Sequence, residues 1–170
     1  MAAEARDADF IDRARQGWRK AWPGLDTSGM ELMGRITRIS AQTVQLLDQV
    51  LAPAGVARAE FDVLCALARS ERPLRASEVT AATLFSSAAT TKHAARLEQA
   101  GLVQRRRLER DGRVVLLELT GTGRALVETE MPRCMELDRA LLEGIGEDEL
   151  AALAALLRRI SRNTEAYAAR

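Results

Sequence analysis

The 46 residues from Arg75 to Thr120, RASEVTAATLFSSAATTKHAARLEQAGLVQRRRLERDGRVVLLELT, constrain the fold more than any other stretch of the chain. Ser77 to Thr83 predicts a short helix. Ser86-Ser87 can cap a second helix running to about Gln99, and Gly101 supplies its left-handed stop. Val103 to Leu108 and Arg113 to Leu119 have the Val, Leu and alternating Arg of two strands. Glu109-Arg110-Asp111-Gly112 offers the turn that returns the second antiparallel to the first. Two helices closed by glycine and followed at once by a basic hairpin predict a winged helix-turn-helix, whose usual work is binding duplex DNA.

Net charge over the 170 residues is only +1, so the distribution of charge has to decide whether nucleic acid is a partner. Ser86 to Arg113 holds seven Lys or Arg (Lys92, Arg96, Arg105, Arg106, Arg107, Arg110, Arg113) against three acids, a local +4 that leaves −3 for the rest. That is a basic face on a slightly acidic body. Cys65, Cys134 and the single histidine, His93, have no metal-ligand spacing, so neither a metal nor another cofactor is expected. MAAEARDADF lacks the features of a signal peptide, and no run approaches the roughly 20 apolar residues of a membrane span. The expectation is a cytoplasmic protein that does not engage a membrane. An enzyme is not expected, since no phosphate loop, metal cluster or Ser-His-Asp order is present.

Before the reader, Phe10, Ile11, Ala14, Trp18 and Ala21 recur at helical spacing from Asp7 to Ala21, and Trp22-Pro23-Gly24 breaks that helix. A longer helix follows from the Asp26-Thr27-Ser28 caps to Leu51, with a wide apolar stripe through Leu32, Met33, Ile36, Ile39, Val44 and Leu47. Arg58 to Arg69 resumes the helical period. After the wing, Thr120 can cap a helix from Gly121 in which Pro132 predicts a kink or local break, and a last helix follows Gly144-Ile145-Gly146. The fold class expected is therefore mainly α with a small β-hairpin. The terminal helices are too apolar to stand alone, which predicts a homodimer formed by interleaved N- and C-terminal helices. Three regions result: N-terminal helices over 1–57, the winged helix-turn-helix over 58–120, and C-terminal dimerisation helices over 121–170.

Within the second reader helix, Ala89, His93 and Leu97 are spaced by four and are expected to face inward. Ser87, Thr90, Thr91 and Lys92 are then expected toward DNA, the hydroxyls and Thr methyls for bases and Lys92 for a phosphate. Arg110 and Arg113 have the reach for a minor groove at the wing, with Asp111 orienting one of them. In the first strand Arg105 and Arg107 share a face opposite to Arg106, and Arg105 is the candidate for an inward role.

Asp111-Gly112-Arg113 through Leu119-Thr120 and Gly123 fits D-x-R-x5-L-T-x-x-G, the wing pattern of the MarR family of ligand-responsive transcriptional regulators. The chain resembles that family from about Met30 to Tyr167. The resemblance implies a dimer on a pseudo-palindromic double-stranded operator, released when a small molecule binds. Trp18 ahead of Pro23-Gly24-Leu25-Asp26 and Gly34-Arg35 resembles the urate-responsive branch, which carries an extra first helix. On that resemblance Trp18, Asp62, His93 and Arg105 form the ligand site of the N-terminal region, with His93 standing where the branch has an arginine. Trp18 would stack on a flat ring, Arg105 and protonated His93 would bind an anion, and Asp62 would hold His93 charged. The replacement favours an aromatic carboxylic acid over urate as inducer. Two alternatives are a redox-sensing repressor, with Cys134 beside Arg133 a better thiol than Cys65, and an architectural DNA binder without a ligand.

Overall fold

A computed structural model describes residues 8–108 and 111–170, and for 107, 108 and 111–114 only the backbone. Helix α1 spans Phe10–Ala21. It starts at Asp9, whose Oδ1 accepts the N–H groups of Ile11 at 2.7 Å and Asp12 at 3.0 Å, while Asp12 Oδ2 accepts the Asp9 N–H at 3.2 Å. This reciprocal cap satisfies donors that a helix start leaves open. Helix α2, Ser28–Leu51, begins where Asp26 Oδ1 accepts the Ser28 N–H at 2.8 Å, and a single 3-10 turn, Ala52–Ala54, ends it.

Helix α3, Arg58–Ala68, is the centre of the core. Phe61, Val63, Leu64, Cys65, Ala66 and Leu67 are all buried, and a side chain such as Leu64 contributes about 2 kcal/mol or more by leaving water. Around it pack helix α4, Ala76–Thr83, and helix α5, Ser87–Gln99. Ser86 Oγ accepts the Ala89 N–H at 3.1 Å to start α5, and Gly101 adopts φ +70° at its end, as the capping chemistry requires.

The sheet has three strands rather than the two of a hairpin. Strand β2, Val103–Leu108, and strand β3, Asp111–Leu119, pair antiparallel with Val103 opposite Leu119, and β1, Leu74–Arg75, adds to the other side of β3. Val103 and Leu117 turn into the core from this sheet.

Thr120 ties the sheet to the helices on either side of it. Its hydroxyl donates to the Gly101 carbonyl at 2.7 Å and accepts the Gly123 N–H at 3.0 Å, and its own N–H donates to Leu102 O at 3.1 Å. It is both the cap of helix α6, Gly121–Leu141, and a clasp onto the end of α5. Helix α6 runs unbroken through Pro132, so of the kink or local break expected there the break does not occur. The ring removes one backbone donor there, and the turns on either side keep theirs. Helix α7 spans Glu147–Ala168, and Glu149 Oε2 accepts the Gly146 N–H at 2.9 Å at its start. The chain forms two compact units, Met1–Glu130 and Met131–Arg170.

Candidate nucleic-acid interface and ligand residues

Ser87, Thr91 and Lys92 lie on the exposed side of α5, in the half next to its capped N-terminus. Thr91 Oγ1 donates to the Ser87 carbonyl at 2.8 Å, which leaves its methyl and an oxygen lone pair for a ligand. Thr90 is a correction. It is 0% exposed, and its hydroxyl oxygen accepts from Thr80 Oγ1 at 2.8 Å, joining α4 to α5 inside the helix-turn-helix. The inward row is Thr90, Ala94 and Leu97: Leu97 faces inward as expected from spacing, whereas Ala89 and His93 lie at the margin and the residue after each takes the inward place.

Two ion pairs hold the later half of α5. Glu98 Oε2 lies 2.8 Å from Arg105 Nε on β2, and Arg96 Nε lies 3.0 Å from Oε1 of Glu60 on α3. Glu60 is only 4% exposed, and its Oε2 accepts the Ala57 N–H at 3.1 Å. Burying a carboxylate without such partners would carry a large desolvation cost. Its Oε1 faces Arg96 as an ionic contact out of hydrogen-bond alignment.

The residues expected to act at the wing lie outside the described set: Arg110 wholly, and Asp111 and Arg113 in their side chains, though both belong to β3.

The four residues assigned to a ligand are not joined to one another by any hydrogen bond, ion pair or ring contact among the described residues. Trp18 is 46% exposed on α1. The carboxylate of Asp62 takes Arg58 Nη2 at 2.7 Å, its neighbour one helical turn away, rather than His93. Burial raises the Asp62 carboxyl above its ordinary value, opposed by Arg58 and Arg69. Arg105 is exposed, not inward, because Glu98 draws its guanidinium along the surface. His93 Nδ1 is buried and makes no hydrogen bond, and the ring lies 5.5 Å from that of Phe85.

Sequence reasoning missed an ionic clamp between α1 and α2. Arg35 Nε and Nη2 bind Asp9 Oδ2 at 2.8 Å and Asp12 Oδ2 at 2.9 Å, its Nη1 donates to the Glu31 carbonyl at 2.7 Å, and Arg15 Nη1 meets Glu31 Oε2 at 2.6 Å. The Asp12 side chain, and Asp9 with it, raises the Arg35 pKa, and the Asp12 N–H foremost lowers that of Asp9. Acids three apart at a helix start were the available signal, but they also explain a cap. Beside the clamp an open groove of about 770 Å³ runs between α1 and α2 past Phe10, Met30, Met33 and Arg38. Gly34 permits this approach, since a Cβ there would lie 3.0 Å from Ile11 Cδ1.

No group of three metal-ligating side chains occurs among the described residues, and no described helix is long and apolar enough to cross a membrane. A capped, exposed recognition-helix N-terminus braced by a three-stranded antiparallel sheet defines a winged helix-turn-helix DNA-binding protein. The chain belongs to the MarR family of transcriptional regulators. The MarR family model matches residues 54–114. The HTH-type transcriptional regulator PecS of Dickeya dadantii (strain 3937) is 33% identical over 161 residues, spanning 94% of this chain and 96% of that protein. Bordetella bronchiseptica BpsR, whose DNA binding is regulated by 6-hydroxynicotinic acid, superposes with a TM-score of 0.70 at 29% identity, over 77% of this chain and 98% of that one. A mutant E. coli MarR complexed with operator DNA gives 0.68 at 25% identity, over 90% and 99%. The relatives are regulators of transcription, and the chain is a DNA-binding transcriptional regulator rather than an enzyme.

Proposed function

We propose that this regulator is a repressor, acting as a homodimer in the cytoplasm on a pseudo-palindromic operator and released by a small aromatic carboxylic acid or urate-like anion. The observation that carries the ligand reading is the His93 Nδ1, buried at the inner margin of the recognition helix with no hydrogen bond to the protein. Buried polar atoms are nearly always paired, and an acid reaching this nitrogen would act directly on the helix that reads DNA. BpsR supports the ligand class, since 6-hydroxynicotinic acid is an aromatic carboxylic acid. In this reading Arg105 exchanges Glu98 for the ligand carboxylate, and Trp18 and Asp62 complete the site with the N-terminal helices.

DNA contact is assigned to Ser87, Thr91 and Lys92 on α5, with Arg110 and Arg113 at the wing and Asp111 orienting one of them. The dimer reading rests on uncovered apolar side chains in both units, among them Leu32, Ile39 and Val44 of α2 and Leu153, Leu156 and Leu157 of α7. Regions 1–57 and 121–170 serve it, and 58–120 reads DNA. Cys65 and Cys134 are both buried, which disfavours the thiol-based alternative. The test is release of the protein from the DNA upstream of its own gene by a panel of small aromatic acids and purines. His93→Ala and Arg105→Ala should each bind the DNA as wild type does and lose the response. If both still release at the wild-type ligand concentration, the site lies elsewhere.

A further inference from the structure

Leu84 is the one non-glycine residue with a positive φ among the described residues, at φ 58° and ψ 21°. Left-handed backbone is disfavoured for a residue with a Cβ, and the C-terminal end of a helix usually gives that place to Gly or Asn. Here it is taken by a leucine that is 92% exposed, more than any other large apolar side chain described. Neither backbone preference nor burial within the chain accounts for the choice. Its neighbour Phe85 is part-buried with its ring 5.5 Å from that of His93, whereas the Leu84 side chain stands in solvent. The residue lies between the end of α4 and Ser86, the N-cap of α5. That is the end of the recognition helix that enters the major groove in this motif.

We propose that Leu84 is a DNA-contacting residue that helps set specificity, packing its side chain on the C5-methyl of a thymine in each operator half-site. The thymine methyl is the apolar feature of the major-groove edge, and the branched aliphatic side chain of Leu84 offers it a larger apolar surface than the single methyl of Thr91 does, while the Lys92 ammonium offers it none. The strained backbone is the kind of local cost that persists where a functional surface requires it. The inference rests on α5 being the reading helix, so its test separates the two.

Duplexes selected by the full-length protein from a random pool are bound by wild type, Leu84→Gly and Lys92→Ala, with each thymine replaced in turn by deoxyuridine. Glycine suits the left-handed backbone, so Leu84→Gly should fold with unchanged or raised Tm. It should bind about three- to tenfold more weakly than wild type. At one position per half-site deoxyuridine should weaken wild type by a similar factor and leave Leu84→Gly unaffected. The proposal is overturned if Leu84→Gly binds as tightly as wild type, or if no deoxyuridine effect depends on Leu84. Weakening by Lys92→Ala alone would remove Leu84 and leave α5 as the reader, whereas no loss in either variant would remove both.

Discussion

Gly123 shows how a single hydrogen atom in place of a side chain can fix a junction. A Cβ there would lie 2.0 Å from the Leu102 carbonyl oxygen, the same oxygen that accepts the Thr120 N–H. The obstacle is backbone, so no rotamer relieves it. Gly123→Ala must push α6 off the end of α5 or break the Thr120 clasp, and we expect a loss of about 2 kcal/mol or more in denaturant unfolding. Gly121→Ala, where a Cβ would meet nothing within 4 Å, is the matched control and should change stability far less. A Gly123→Ala protein as stable as the control would refute the account. This residue was legible in the sequence as part of L-T-x-x-G, although the pattern carries no physical reason by itself. Thr90 was not legible. A threonine among alanines and polar residues reads as solvent-facing, and only the Thr80 hydroxyl, supplied by another helix, makes its burial acceptable.

At the scale of elements, α4 is held at its N-terminus by Glu78. The carboxylate accepts from Arg72, through Nη2 and through Nη1 at 3.3 Å, and from the Arg75 N–H at 2.7 Å. The Arg72 bond foremost, then the Arg75 N–H, lowers its pKa from 4.5 to about 2. Because the folded value is the lower one, this contribution to stability is present above pH 4.5 and is lost as pH falls through about 2. A carboxyl-detected NMR titration should find Glu78 among the last glutamates to protonate; a midpoint near 4.5 would contradict the contacts. Helix limits of this kind were readable because caps and stops are written locally, as Ser86, Gly101 and Thr120 show. Strand β1 was missed for the opposite reason. Two residues carry no period, and Leu74–Arg75 becomes a strand only by pairing with Leu117 and Leu116 across β3. The same limit applies to the expected ligand residues. Asp62 has a partner one turn away in Arg58, and Arg105 has one in Glu98, so nearby charges take what the resemblance assigned to His93 and to an inducer.

For the whole molecule the expectation concerns assembly. The exposed leucines of α7 recur along one helix, Leu153, Leu156 and Leu157, and are too many for a surface that stays in water. Deleting 147–170 should leave the reader folded and convert a dimer into a monomer or an aggregate in sedimentation velocity. A well-behaved dimer of the shortened chain would refute the assignment. The clamp on α1 adds a different dependence. Of α1 only Ile11 is buried, and much of its attachment to α2 consists of part-exposed ion pairs in which Arg15 and Arg35 are half-buried and their partners Glu31, Asp9 and Asp12 more open to solvent. Exposed ion pairs weaken as ionic strength rises, and so does protein contact with phosphates. Added salt is therefore expected to act on this protein in two places, at the duplex and at its first helix. Amide exchange in α1 without DNA should quicken with added salt while exchange in α3 does not, so that the hold on the first helix would track ionic strength independently of the operator; equal α1 exchange at low and high salt would refute it.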